Sequence, residues 1–363
     1  MTLAKGFAER VIEWQRRCGR RDLPWQGTRD PYRIWLSEIM LQQTQVSTVV
    51  PYYRRLLARF PDVQSLAGAT LDEVLELWSG LGYYSRARNL HSAAGSVVRE
   101  HCGRFPRTRE ALAMLPGIGR STAAAIAVFS CGAREAILDG NVQRVLSRCF
   151  AVDDVSRSAM QKRLWALAES LLPSKAIEAY TQGVMDLGSG VCTRSKPNCA
   201  QCPLGMRCKA RKLGMQSRFP AAAPRKALPH RHTIMLLALR EGEVLLQRRA
   251  LTGIWGGLWS LPEFASSGEA LRVCETRLGL CLESHRELQA LNHRFTHFLL
   301  TITPLLCRAL AANRHSAEPG MAWFSVERAL QAPIPSPVRS LLSRARAMDK
   351  AGPVRVATSS QTH

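Results

Sequence analysis

Four cysteines, Cys192, Cys199, Cys202 and Cys208, lie within "CTRSKPNCAQCPLGMRC" at spacings C-x6-C-x2-C-x5-C, with Arg194, Lys196, Arg207 and Lys209 in or beside the run. Thiols so spaced are candidate metal ligands, whereas the other seven cysteines are scattered and read as ordinary buried or surface thiols. A second stretch, "LPGIGRSTAAAIAVF" from Leu115, places Gly117 and Gly119 in a tight turn ahead of an alanine-rich helix. Glycines leave the amides of such a turn unhindered, Ser121 is expected to cap the helix, and the positive end of the helix can meet a phosphate. An ordinary turn between helices is the alternative. In "ILDGNVQRVLSR", Asp139 precedes Gly140 and Asn141 at a helix start, where an acid either caps the helix or does chemistry. Glu38 sits among Ile34, Trp35, Ile39 and Leu41, neighbours that would desolvate it and raise its pKa; an exposed helical glutamate is the alternative.

The chain that must position these groups has 363 residues, 46% of them hydrophobic, enough for a sizeable core and about two domains. Its formal charge of +22 points to a polyanionic partner. The first part holds most of that charge, with 34 of the 50 basic and 18 of the 28 acidic residues before position 231. The opening "MTLAKGFAERVIEWQRR" has no apolar signal core, and no apolar run reaches the roughly 18 residues that span a bilayer. A reducing cytoplasm is therefore the expected compartment, and no membrane partner is expected.

Residues from Phe7 to about Leu213 show helical periodicity. Within it, "TLDE" at Thr70 and "SAMQ" at Ser158 fit capping boxes. A Pro-, Ala- and Arg-rich stretch then breaks the pattern as a linker, and short apolar runs ("TIMLLAL", "EVLLQRR", "FLLTITPLL") alternate with turns and a helical "EALRVCETRLGL". The expected architecture is multidomain: an all-α region over 1–216, a linker over 217–231, a smaller α+β domain over 232–346, and a disordered tail over 347–363.

The order of hairpin, "LDGNV" and cysteine loop resembles the helix-hairpin-helix DNA glycosylases that carry a 4Fe-4S cluster, the endonuclease III superfamily. Within it, "RRDLPWQ" (Arg20 to Gln26), "WLSEIMLQQTQV" (Trp35 to Val46) and "GLGYYSRARNL" (Gly80 to Leu90) resemble the MutY-type adenine DNA glycosylases. "GIWGGLWSLPEF" and "FTHF" carry the resemblance into a MutT-like, Nudix-like second domain. The resemblance implies one 4Fe-4S cluster on Cys192, Cys199, Cys202 and Cys208. The spacing agrees, since structural zinc usually shows two close cysteine pairs and only one pair is close here. It further implies a basic loop, with Arg194, Lys196 and Arg207, that meets DNA phosphates, as do the hairpin glycines Gly117 and Gly119.

The implied reaction is hydrolysis of an N-glycosidic bond, which needs an acid for the leaving group and an anion beside a cationic sugar. By resemblance, Glu38 protonates adenine at N7 and Asp139 stays ionised beside the sugar, so their environments must split their pKa values. Arg21, Leu23, Trp25, Ser121 and Asn141 would line the adenine pocket. Gln42, Gln43, Thr44, Leu81 and Tyr83 would serve around the gap left by the extruded base and at the opposing base. Phe295, Thr296 and His297 would read the lesion strand, Thr296 standing where the family commonly has Ser. The implied partner is double-stranded DNA carrying adenine opposite 8-oxoguanine or guanine, and in keeping with the resemblance the cytoplasm is taken as bacterial and the protein as nucleoid-associated.

Three rival readings are weaker. Endonuclease III-type glycosylase/lyases for oxidised pyrimidines place a catalytic lysine where Ser121 stands, and residue 143 is Gln, so a monofunctional enzyme is expected. A ferredoxin-type electron carrier would not need the hairpin or the charge, and a silent iron-sulfur DNA-binding protein would not need both Glu38 and Asp139. Nudix hydrolysis needs the helical run R-E-x-x-E-E, whereas "EALRVCETRLGL" offers only Glu269 and Glu275, so the second domain is expected to read rather than cut.

Overall fold

The computed structural model of the chain describes residues 6–154, 156–221, 227–278, 280–310 and 319–350. Two compact units result: Met1–Val74 with Arg86–Arg225, and Leu75–Ser85 with Lys226–His363. No helix among the described residues is long and apolar enough to cross a membrane.

The first unit is helical throughout. The helix Pro31–Leu41, which carries Glu38, begins where Asp30 accepts a hydrogen bond from the Tyr32 amide (2.9 Å) and Pro31 supplies a ready-made helical φ. It packs against the helix Arg120–Cys131, whose Ala123, Ala124, Ala125 and Ala127 are buried. Small side chains along this helix let neighbouring backbones approach it, and this brings the Glu38 helix to the hairpin. A core of Val11, Ala124, Leu138, Val142, Val145, Leu164, Tyr180 and Leu187 joins the hairpin helix to the helices Phe7–Cys18, Gly140–Phe150, Arg157–Ser170 and Ile177–Asp186. Val142 and Val145 recur at the spacing that turns one face of Gly140–Phe150 inward, which leaves Asp139 at its exposed end over the site.

The capping box at Thr70 is present, with the Thr70 amide donating to Glu73 (2.8 Å) and the Glu73 amide to the Thr70 hydroxyl (3.3 Å). The one read at Ser158 is not. Ser156, not Ser158, caps Arg157–Ser170 by accepting from the Ala159 amide (3.1 Å), and Gln161 reaches sideways to Gln143 (2.9 Å). Periodicity alone could not separate two serines two residues apart.

In the second unit, eight strands form one mixed sheet: β1 (His230–Arg240), β2 (Glu243–Arg248), β3 (Trp259–Ser260), β4 (Glu263–Phe264), β5 (Leu282–Glu287), β6 (Leu291–Arg294), β7 (Leu299–Ala309) and β8 (Met321–Ser325). The path runs β3-β2-β1-β7-β5, with β4 on β1, β6 on β7 and β8 on β2. β1 and β7 pair in parallel from His230↔Leu299 to Leu239↔Arg308, and the other pairings are antiparallel. Both central strands read as continuous apolar runs because each is covered on two faces. Ala270 and Cys274 of the helix Ser267–Thr276 share a core with Ile234, Leu236, Ala238, Leu305 and Cys307. Two further helices, Val326–Gln331 and Ser336–Lys350, complete the unit.

Two boundaries differ from expectation. β1 begins at His230, inside the stretch read as linker, because pairing with β7 recruits polar residues that have no strand pattern of their own. The last helix runs to Lys350, so 347–350 are not part of a tail, while 222–226 of the linker and 351–363 lie outside the described residues. The corrected cap is open to test: Ser156→Ala is expected to lower stability by about 1 kcal/mol and Ser158→Ala by no more than a few tenths, read by chemical denaturation.

Candidate active site

A cavity of about 1430 Å³ opens in the first unit, and Arg21, Leu23, Trp25, Glu38, Gln42, Thr44, Ser121, Asp139 and Asn141 all line it. Three separate stretches of the sequence, 21–44, 121 and 139–141, thus converge on one space. Trp25 is buried and packs edge-on against Tyr53, with ring centroids 5.3 Å apart. The loop that carries Arg21, Leu23 and Trp25 is tied down by Arg20, whose amide and Nε donate to buried Asp186 at 3.0 and 2.8 Å. Gln182 joins from Asp186's own helix (2.9 Å).

Glu38 is half-buried with its exposed surface toward the cavity, and among the described residues no hydrogen bond to it is found. Its carboxyl is pushed up to about 7, first by burial and then by the negative charge of Asp139. Asp139 is also raised by burial, but its anion is favoured by partners that Glu38 lacks. The Val142 amide donates to its Oδ1 (2.7 Å), the Asn141 side chain donates to its Oδ2 (3.2 Å), and the Asn141 amide and the Arg144 charge act in the same sense. Of two acids raised by burial in one cavity, the one that caps a helix has donors that favour its anion and the other has none.

Several groups that hold Asp139 in place were missed from the sequence. Arg144 donates to Asn141 Oδ1 (2.7 Å) and to the carbonyls of Gly140, Gly188 and Cys192 (3.2, 2.5 and 2.7 Å), which locks the amide that faces Asp139. Gly188 lies in a π-helical turn, Leu187–Val191, pressed against Asn141; a Cβ there would come within 2.5 Å of the Asn141 Cβ. Ser121 does not cap its helix as expected. It lies inside Arg120–Cys131, and its hydroxyl accepts from the Leu138 amide (2.9 Å), the residue before Asp139.

The hairpin glycines and Gln43 are outside the cavity lining. Gly117 has a φ of 77° and lies where a Cβ would meet Asn89 at 2.7 Å, so only glycine fits. Gly119 is the N-cap of Arg120–Cys131. Gln42 bridges the two motifs by donating to Gly117 O (3.4 Å) and Thr122 Oγ1 (3.3 Å).

The four clustered cysteines line a second, small cavity together with Arg148, Cys149, Arg211 and Gln216. Arg148, though buried, organises the loop: it donates to Cys192 Sγ (3.3 Å) and to the carbonyls of Thr193, Arg194, Gln216 and Phe219. Gln216 reaches Cys199 Sγ (3.8 Å), and the Cys202 and Cys208 sulfurs receive backbone amides. Burial raises the Cys192 thiol and pushes the Cys202 thiol up to about 11, but the donors aimed at sulfur act toward the thiolate, so the set of four fits a thiolate-ligated group. Among the described residues no three His, Cys, Asp or Glu side chains are grouped about a single ion; the thiols surround a cavity instead.

Comparison with known proteins agrees with this arrangement. Residues 36–170 match the family described as HhH-GPD superfamily base excision DNA repair protein, and 233–344 match the NUDIX domain family. The adenine DNA glycosylase of Buchnera aphidicola subsp. Acyrthosiphon pisum is 34% identical over 338 residues, which cover 93% of this chain and 96% of that one. The chain belongs to the adenine DNA glycosylase family. The human adenine DNA glycosylase is 34% identical across 78% of this chain and 63% of its own length. Among solved structures, a thermostable thymine-DNA glycosylase superposes with a TM-score of 0.53 at 29% identity, covering 58% of this chain and 97% of that one. A trapped endonuclease III–DNA covalent intermediate shares the fold (TM-score 0.51, 21% identity, 59% of this chain and 100% of that one).

The remaining expected residues of this adenine DNA glycosylase family member lie in the second unit. Leu81 is buried, whereas Tyr83 is 43% exposed with a φ of 48°. Phe295, Thr296 and His297 form the turn between β6 and β7, closed by the Phe295 amide on Phe298 O (2.9 Å). Phe295 stacks on buried Phe298 (4.4 Å, 20°) and meets Trp255 and His293, so an aromatic base supports an exposed tip of Thr296 and His297. Glu269 is occupied in its own helix start, accepting from the Ala265 amide (3.0 Å).

Glu38 gives a linkage test. Its carboxyl binds a proton more tightly folded (about 7) than at its ordinary value of 4.5, so its burial costs nothing below pH 4.5 and its full amount above pH 7. Glu38→Gln is therefore expected to stabilise the protein at pH 8 by up to about 3 kcal/mol and to be neutral at pH 4, read by thermal unfolding. Equal effects at the two pH values would mean an ordinary carboxylate.

Proposed function

We propose that this chain hydrolyses the N-glycosidic bond of adenine mispaired with 8-oxoguanine or guanine in duplex DNA, releasing adenine and leaving an abasic site. The observation that carries the reading is the pair of carboxyls in one cavity, both raised by burial, of which only Asp139 has donors and a cation that favour its charged form.

Glu38 gives its proton to adenine N7, so the base leaves as a neutral molecule when the bond between C1′ and N9 breaks. The positive charge that develops on the sugar faces the Asp139 carboxylate, which the helix end and Asn141 hold in place without reorganisation. Water then adds at C1′ and its proton passes to solvent through the carboxylates. Arg21, Leu23 and Trp25 form the wall against the base. Ser121 offers a hydroxyl where a lyase would need an amine, which supports a monofunctional glycosylase.

The partner is double-stranded DNA. Arg194 lines the cavity mouth from the cysteine loop, next to exposed Lys196, where phosphates would bind. Cys192, Cys199, Cys202 and Cys208 would hold one 4Fe-4S cluster, which, when bound, ties the basic loop at four points. In the second unit, the tip of Thr296 and His297 on its aromatic base is the reader of the opposing nucleotide.

Single-turnover assays on duplexes with adenine opposite 8-oxoguanine, adenine opposite guanine, or an oxidised pyrimidine, each with and without alkali, test the reading. Adenine release revealed as breaks only after alkali is expected, with a rate that falls roughly tenfold per pH unit above about 7 as Glu38 ionises. Strand breaks without alkali, or action on the pyrimidine duplex alone, would contradict it. Cys199→Ser is expected to lower bound iron and yield together, measured by metal analysis of anaerobically purified protein; stoichiometric zinc in the unaltered protein would refute the cluster.

A further inference from the structure

One buried cation is unaccounted for by the chemistry so far. Arg86 is 7% exposed, yet its guanidinium spans the end of the Glu38 helix and the turn that follows it. Nη1 donates to the carbonyls of Ile39 (3.1 Å), Met40 (2.6 Å) and Gln42 (2.6 Å), and Nη2 donates to Thr44 Oγ1 (3.0 Å). The last carbonyls of a helix have no partners within it, and a cation there also meets the negative end of the helix dipole. Arg86 thus satisfies groups that burial would otherwise leave costly.

What it builds is a turn fixed on both sides of one residue. Gln42 is held by Arg86 at its carbonyl and by Gly117 and Thr122 at its side chain. Thr44 is held by Arg86 at its hydroxyl and by Leu41 O at its amide (3.3 Å). Gln43, between them, is exposed and has a φ of 57°, a left-handed backbone that residues other than glycine seldom adopt. A left-handed, exposed residue pinned at both neighbours is presented outward with little freedom.

We propose that Arg86 is a positioning residue for base extrusion: it holds the Gln42–Thr44 turn so that Gln43 enters the duplex where the adenine leaves. This inference rests on the glycosylase reading above. Arg86 touches neither base nor sugar; it acts through the turn. Lysine cannot replace it, because one ammonium lacks the planar fork that reaches both the carbonyl cluster and Thr44.

The test compares single-turnover adenine release from two duplexes, one with adenine opposite 8-oxoguanine and one with adenine opposite a tetrahydrofuran abasic analogue. In the second no partner base holds the adenine in the stack, so extrusion needs no wedge. For Arg86→Lys the expected loss is tenfold or more, to order of magnitude, on the first duplex and less than about threefold on the second. Gln43→Ala is expected to show the same selective loss, and to add little in the Arg86→Lys background. Equal losses on the two duplexes, or additive losses in the double variant, would overturn the proposal and leave Arg86 a support of Glu38 or of the fold. If Arg86→Lys does not fold, as thermal unfolding would show, Thr44→Val removes the Nη2 acceptor, together with the longer bond from the Thr44 hydroxyl to Gln42 O (3.4 Å) inside the same turn, and must give the same selective loss. Failure of the unaltered protein on both duplexes would instead refute the glycosylase reading.

Discussion

The carboxylate of Asp139 caps the helix Gly140–Phe150 and also faces a cavity that contains a second acid. These two facts constrain the rest of the site. A helix start offers free amides and the positive end of the helix dipole, so an acid at the N-cap can be deeply placed and still carry its charge. Burial, and then that charge, raise a glutamate without donors of its own, so that Glu38 holds its proton up to about 7. The Asp-Gly-Asn run, the Arg144 clamp on Asn141, the glycine at 188 and the Ser121 bond to Leu138 all fix where one carboxylate sits. The division of labour between acid and anion follows from a local backbone feature rather than from any exotic group.

Arginine does much of the internal positioning. Arg86 and Arg148 are buried, and Arg20 and Arg144 are tied to Asp186 and to loop carbonyls around the site. Each supplies several donors at fixed angles to carbonyls that no helix or strand satisfies, which suits a guanidinium better than an ammonium. The formal charge of +22 therefore overstates what faces a DNA backbone. The exposed cations of the cysteine loop, rather than the sum, are the phosphate candidates.

Local patterns in the sequence were readable where a residue's role depends on its neighbours. Glu38 among apolar residues announced a raised pKa, Asp139 before Gly140 announced a cap, and the apolar runs around residues 233–239, 244–248 and 298–306 announced β1, β2 and β7. Roles that depend on distant partners left no trace. Ser121 looked like a cap because nothing nearby shows that it meets the Leu138 amide. Arg86, Arg144 and Arg148 lie on helices where arginine ordinarily faces solvent, and their partners are 40 or more residues away in several cases. The parallel β1–β7 pairing, and with it the start of β1 among polar residues, is likewise a product of long-range contact. Phe295 and His297 alternate as strand residues would, and the closed turn between β6 and β7 places them with Thr296 at a tip instead.

The central claim is that burial, reinforced by the Asp139 charge, holds the proton on Glu38. It is tested most directly by titrating Glu38 itself, by ¹³C NMR of carboxyl-labelled glutamate assigned with Glu38→Gln, in the unaltered protein and in Asp139→Asn. The account predicts a midpoint of about 7 that moves down in Asp139→Asn, because one of the two causes of the shift is removed and burial remains. A Glu38 midpoint in the ordinary glutamate range, or one that does not move when Asp139 loses its charge, would contradict it.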